Sequence, residues 1–482
     1  MLTLSVDPKV LAALKAAFPK PANSAVKALS KYINTLHALI TEAQSLGKDP
    51  FNSRFDLQSI SLHDLANRGG QIGSARIRVH AWLEQQGYAL VEAVETGSNF
   101  TGRKSRVRLT RWVTVTDHHS ASAVKHKITQ GAAYLDQPEP DEAAWIRSLY
   151  PGLEDMEEDQ VRATYHITEV DQLSLARFIV WLADRAHEFN KAQRDRMMHQ
   201  AMLIYRVAQF SPGLFLQRPK PSHFGRTYYA GVSVQNIHRT LRQAMLGDCW
   251  EYDITSAVIA WKLGQARRIQ GSIAAYPITH LYLQDKDDVI RTIRADTIDP
   301  NDTDNEDTMR RRIKTALTAL SFGARTTDHG WSDESGDWQV PALATIFRNQ
   351  LDRARFSASP TTKAFVQEQR QLDKHLFAHQ LARDPALKLD RHLQTASGRP
   401  SRAKVLAYAY QHAETEVMDV VRAEIKRLGK TVLANIHDAL VVRERLLTDD
   451  RMAIEDAMRT QTGNPYWRLT ARQIRRFEPT AD

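Results

Sequence analysis

At 482 residues, with 42% hydrophobic and 25% charged side chains, the chain has apolar content for roughly two to four globular domains. A formal net charge of +9 points to an anionic partner, nucleic acid before a membrane surface, with a basic but ligand-free surface as the plainer alternative. A single cysteine, Cys249, excludes an intrachain disulfide and a cysteine-based zinc site, and fits a reducing cytoplasm.

The first twenty residues carry Asp7, Lys9, Lys15 and Lys20 and no long apolar run, so no signal peptide is expected; no later run is long enough to predict a membrane span. Residues 24–46 place Val26, Leu29, Ile33, Leu36, Leu39 and Ile40 at helical spacing. A short helix at 61–66 starts on Ser61 and is broken by Gly69-Gly70, and a third is predicted over 73–86. After Gly87 the period becomes that of strands, at 88–94 and 107–115, with Arg103, Lys104 and Arg106 in an acid-free loop between them. Two helices, a turn, a helix and a basic hairpin resemble a winged-helix module, so residues 1–135 are expected to form a winged-helix-like accessory domain. There Arg103, Lys104 and Arg106 would contact backbone phosphates. The alternative is a small α+β domain with solvated arginines. His118, His119 and His126 have no carboxylate or cysteine at ligand spacing, so no metal site is expected there. A linker is expected at 136–142, followed by helices over 141–211 and an irregular, polar binding loop over 213–239.

A strand-like run then delivers Asp253, and a helix leaves from Ala257. Residues 285–307 are rich in aspartate and are expected to be an exposed insertion. Arg310, Lys314, Thr318 and Phe322 fall four apart, on one face of a helix, where two cations can hold a triphosphate; an arginine-rich surface helix is the alternative. A helix over 404–428 carries Gln411, and a strand at 431–436 ends in His437-Asp438 before a second strand at 439–442. The tail reads as a helix and a last sheet strand. A lone aspartate at a strand end is usually a cap or an ion pair. Two of them from distant parts of one chain can form a two-metal site, because hard divalent cations prefer carboxylate oxygen.

Four blocks in this order resemble the A family of DNA polymerases, relatives of bacterial DNA polymerase I, and more loosely the single-subunit phage RNA polymerases. They are Gly225-Arg226 with Gln235-Asn236-Ile237; Tyr252-Asp253-Ile254-Thr255-Ser256-Ala257; Arg310 and Lys314 with Phe322-Gly323; and Gln411 with Ile436-His437-Asp438-Ala439-Leu440. The resemblance covers roughly residues 213–482. It implies an α+β right-hand polymerase with an antiparallel palm sheet and helical fingers and thumb. The thumb-like region would be 141–212, the palm 213–279 and 401–482, and the fingers 280–400. It further implies that Asp253, Asp438 and the carbonyl of Ile254 bind two Mg2+ or Mn2+ ions. Arg310, Lys314, Thr318, Phe322 and, on a looser match, His280 would meet the incoming nucleotide. Arg226, Gln235, Asn236 and Gln411 would touch template and primer, with His437 near the primer terminus.

Three positions depart from the family. Val258 stands where replicative members carry the glutamate that closes the pocket against a ribose 2′-hydroxyl. Ala439 replaces the glutamate after the second aspartate, and Phe322 replaces a tyrosine. Discrimination against ribonucleotides is therefore expected to be relaxed. No 3′–5′ exonuclease domain is expected in the first 240 residues. The function expected is template-dependent nucleotidyl transfer with primer synthesis, suited to a primase-polymerase of a phage or mobile element. A dedicated primase and a non-catalytic DNA-binding replication initiator are the alternatives. Expected partners are a DNA template and primer, nucleoside triphosphates and a helicase or other replication protein, in the cytoplasm and without a membrane.

Overall fold

A computed structural model describes residues 2–19, 22–46, 57–97, 104–117, 120–129, 140–150, 152–185, 188–211, 213–297, 306–327, 329–332 and 338–479. Its organising element is the strand Cys249–Ile254, whose alternate side chains point to opposite faces. It lies inside a four-stranded antiparallel sheet, in the order Val432–Ile436, Ala439–Val442, Cys249–Ile254, Leu469–Ile474. Tyr252 and Ile254, with Leu440, Val442 and Leu469, face one hydrophobic core. Cys249, with Leu433, Ala434, Val441 and Ile474, faces another. The sheet is thus a partition between two cores, and Glu251 and Asp253 share the parity of Cys249. The whole is an α+β arrangement of helices with small antiparallel sheets.

The first of these cores is filled by the helices Ala257–Gln270, Glu306–Ser321, Pro360–Arg383, Arg402–Arg427 and Thr448–Thr462. One buried cation ties three of them. Lys262, 3% exposed, donates to the Ser321 carbonyl at 2.7 Å and to Gln369 at 3.0 Å, and its ammonium lies 2.5 Å from Asp373. Burial lowers its pKa and Asp373 opposes the shift. Gly264 has no room for a Cβ, because the Asn464 amide packs against it while donating to the Ala260 carbonyl.

The other core gathers the helices Gln172–Asp184, Lys191–Phe210 and Arg239–Leu246. Residues 141–212, read as wholly helical, also contain the strand His166–Glu169. The loop expected at 213–239 is instead a hairpin, Leu214–Pro221 with Thr227–Ala230, closing a three-stranded sheet with that strand. Pro219 and Pro221 fall in the outer half of a strand whose Phe215, Leu216 and Gln217 are buried.

At the amino-terminal end, helix Ala22–Leu46 buries Leu29, Tyr32, Leu36, Leu39 and Ile40. Ser61 caps helix Leu62–Arg68 by accepting from Asp64 N–H at 3.1 Å. The helix expected over 73–86 is shorter, Val79–Gln85, because a small hairpin of Gln71–Ile72 and Ile77–Arg78 precedes it. The strand expected over 107–115 is two, Ser105–Leu109 and Val113–Asp117; the first lies between Gln58–Ile60 and Val91–Glu95, and the second pairs with Leu2–Val6. Glu42, 8% exposed, joins this part to the rest: it meets Lys104 at 3.6 Å and Arg218 at 3.3 Å. Most of the expected linker, and His118 and His119, lie outside the described residues. No helix among the described residues is long and apolar enough to cross a membrane.

Removing one partner of a buried ion pair leaves an uncompensated charge, so Asp373→Ala is expected to cost about 3 kcal/mol in denaturant unfolding. A loss under ~1 kcal/mol would show that the Ser321 and Gln369 contacts alone satisfy Lys262.

Candidate active site

Asp253 sits one residue before the end of its strand and lies opposite Ala439 in the neighbouring strand. Asp438 immediately precedes Ala439, and its carbonyl accepts the Ile254 N–H at 3.0 Å. Pairing of the two strands thereby brings the two aspartates together, with Ile254 adjoining both. The chain is bent sharply around them. His437 has φ 51° and Ser256 φ 48°, and among the described residues Arg76 is the only other non-glycine residue with positive φ. Left-handed backbone at a residue with a Cβ costs energy and collects at functional sites.

Burial, then the charges of Asp438 and Glu251, push the Asp253 carboxyl up to about 7. Asp438 is raised as well, by burial first and then by Glu414. The neighbouring acids are neutralised: Glu251 by Arg472 at 2.6 Å and Glu414 by Arg226 at 2.5 Å. The aspartates have no such ion pair among the described residues, and Asp253 Oδ1 is buried without a hydrogen-bond donor. Two adjacent carboxylates left uncompensated fit hard divalent cations, whose charge would reverse the upward shift. No group of three or more His, Cys, Asp or Glu among the described residues is arranged to hold a metal.

Arg310, Lys314 and Thr318 lie on helix Glu306–Ser321, and Phe322 follows its last turn. Arg310 pairs with Asp287 at 2.7 Å, both half-exposed. Thr318 donates to the Lys314 carbonyl at 2.9 Å and is hydrogen-bonded to the Tyr282 phenol. Phe322 is 58% exposed, edge-on to Tyr410 with ring centroids 5.9 Å apart. Val258 is buried and lines, with Phe322, Tyr410 and Gln411, a cavity of about 640 Å³. Gln411 Oε1 is buried there without a donor. His280 packs its ring against Tyr466 at 6.0 Å.

The residues expected to grip nucleic acid are largely engaged within the chain. Arg226 donates through Nε and Nη2 to both oxygens of the buried Glu414, at 2.6 and 2.5 Å. The charges of both members of this pair act on Asp438. Gln235 donates to the carbonyls of Thr227 and Asn435, and Asn236 accepts from Ser233 N–H while donating to the Gly231 carbonyl. His437 packs against Tyr228 at 5.3 Å; burial and then the Arg226 charge lower its pKa. Lys104 faces Glu42, and Arg106 donates to Glu95 at 3.0 Å. Arg103 lies outside the described residues.

Four residues that sequence reasoning missed join the site: Glu251, Tyr410, Glu414 and Lys286. The segment expected to be an exposed insertion holds the helix Lys286–Thr297, with Val289, Ile290 and Ile293 buried. Asp287 and Asp288 sit in its first turn, where carboxylates favour a helix. Lys286 lies over the Tyr282 ring at 5.3 Å. Burial and the Lys314 charge lower its pKa, against the pull of Asp253 and Asp287, so it lies within electrostatic reach of Asp253 and of the basic helix. The signal available was the spacing of Val289, Ile290 and Ile293 among the acids.

No protein-family model matches the chain, and a search of curated proteins likewise returns no match.

A carboxyl raised to about 7 holds a proton in the folded chain that the unfolded chain releases near pH 4, so stability falls as pH rises between those values. Asp253→Asn is therefore expected to stabilise the cation-free protein at pH 8 by about 1–2 kcal/mol after solvent screening, with no gain at pH 4. Thermal unfolding across that range checks this; equal midpoints at pH 8 would refute the strained pair.

Proposed function

We propose that the chain is a template-dependent nucleotidyltransferase of the A-family polymerase type, acting through Asp253 and Asp438. The observation that carries this reading is the pairing of two raised aspartates at adjoining strand ends, neither with an ion-pair partner among the described residues, with Lys286 in electrostatic reach of both Asp253 and Lys314. On this reading the four-stranded antiparallel sheet is the palm. The helices between residues 280 and 400 are the fingers, and those of 141–212 belong to the thumb. The amino-terminal part is a winged-helix-like module. Its three-stranded sheet, with Ser105–Leu109 between Gln58–Ile60 and Val91–Glu95, and the helices Ala22–Leu46, Leu62–Arg68 and Val79–Gln85 support that assignment.

Asp253 and Asp438, with the Ile254 carbonyl, would hold two Mg2+ or Mn2+ ions. Bound there, the ions supply an activated 3′-hydroxyl and neutralise charge on the phosphorus. The protein's own part is positioning and electrostatics. Lys314 and Lys286 meet the triphosphate, and Arg310 joins them by exchanging its exposed Asp287 partner for phosphate. The 3′-oxygen bonds to the α-phosphorus, the α–β bridging bond breaks, pyrophosphate leaves beside these cations, and the hydroxyl proton passes to water. Phe322 and Tyr410 form the aromatic wall against which a base stacks. Val258 offers the sugar no carboxylate, which favours relaxed sugar selection.

The test is incorporation of labelled dNTPs and rNTPs on single-stranded DNA with Mg2+, with and without a primer. Primer extension by the wild type is expected, with a loss of at least ~10³-fold in Asp253→Ala and Asp438→Ala. Unchanged incorporation in either variant would place the chemistry elsewhere. Products formed only without a primer would identify a dedicated primase. Paired kinetics should give dNTP and rNTP efficiencies within about 10²-fold, and a preference of several orders of magnitude would contradict the open sugar pocket.

A further inference from the structure

A second polar cavity opens on the same side of the sheet as Asp253. It has a volume of about 260 Å³ and is lined by Arg239, Arg242, Arg472 and Arg475, with Gln243, Gln473 and one carboxylate, Glu251. That is below the ~300–1,000 Å³ of pockets that enclose whole small molecules. Its place in the fold is set by register. Glu251 lies two residues from Asp253 on the same strand face, about 7 Å along the strand, and Arg472 lies directly opposite Glu251. Arg239, Arg242 and Gln243 come from one face of helix Arg239–Leu246.

The charges in this cavity do not balance. Glu251 is taken by Arg472 at 2.6 Å. Arg242 is fixed by donating to the backbone carbonyls of Val234 at 2.7 Å and Gln235 at 3.4 Å, which orient it without neutralising it. Arg239 and Arg475 are exposed, and neither has a carboxylate partner among the described residues. Arg472 Nε is buried without an acceptor. Four guanidiniums converging on one carboxylate, two of them pre-oriented, make a site for a phosphate oxyanion.

We propose that this cavity holds a backbone phosphodiester of the nucleic-acid strand whose 3′ end lies at Asp253. The proposal rests on the polymerase reading for the strand's identity, while the phosphate chemistry follows from the arginines alone. A strand ending at the aspartates and running back along the sheet face meets Arg472 within two residues of strand length. The triphosphate lies towards Lys286 and Lys314, which are separate from this cavity's lining.

The test uses the full chain carrying Arg239→Gln with Arg475→Gln, two exposed substitutions that break no ion pair, and the control pair Arg267→Gln with Arg268→Gln at the far end of helix Ala257–Gln270. Binding of primed DNA is measured against salt in Ca2+, with methylphosphonate replacing the last two primer linkages or the facing template linkages. The slope of log K against log salt is expected to fall by roughly 1–2 in the Arg239/Arg475 variant and to stay unchanged in the control. Neutral primer linkages should weaken the wild type and not the variant, and neutral template linkages should weaken both alike. Equal slopes, an equal loss in the control, or equal sensitivity of wild type and variant to the neutral primer would each overturn the proposal. A variant changed only in nucleotide KM would reassign the cavity to the triphosphate and overturn it too. Because binding is read without turnover, a wild type that binds as expected yet incorporates nothing would sink the polymerase reading and leave the phosphate site standing.

Discussion

Two carboxylates held side by side at partly buried strand ends repel each other, and the surroundings of this site follow from that constraint. Each neighbouring acid is given its own arginine, Arg472 for Glu251 and Arg226 for Glu414, while Asp253 and Asp438 are left without one. Left-handed backbone at His437 and Ser256 bends the chain beside both aspartates. Divalent cations bound there would relieve such a pair, which is the electrostatic condition that the proposed phosphoryl transfer requires.

The sheet transmits this arrangement to the rest of the chain. Alternate residues of one strand enter two separate cores, so the position of Asp253 depends on packing in both. Lys262 fastens the helix that leaves the active strand to the end of the helix carrying Lys314. The helix that carries Lys314 is therefore anchored to the helix that follows Asp253 by a buried polar contact as well as by apolar packing. Val258 stands where those two sides meet, on the wall of the larger cavity.

The parts of this site legible in sequence were those set by local pattern. The two strands flanking Asp438 and helix Arg402–Arg427 fall within a residue or two of the expected bounds, and a strand does carry Asp253, because alternation or helical spacing marks them directly. What was not legible depended on partners far along the chain. Arg226 looked like an open hand for nucleic acid, and nothing in its neighbourhood announces Glu414 as its partner. The hairpin Leu214–Pro221 with Thr227–Ala230 was hidden by its polar residues, and helix Lys286–Thr297 by its acids, although each buries an apolar face. Lys286 entered the site only through the tertiary placement of that helix.

The most direct measurement is the count of Mn2+ ions bound to the full chain with primed DNA and a non-hydrolysable nucleoside triphosphate, by electron paramagnetic resonance. Two tightly bound ions in the wild type, with loss of tight binding in Asp253→Asn and in Asp438→Asn, is the expected result. Equal Mn2+ binding by the wild type and both variants would contradict the assignment of this carboxylate pair as the centre of the chemistry.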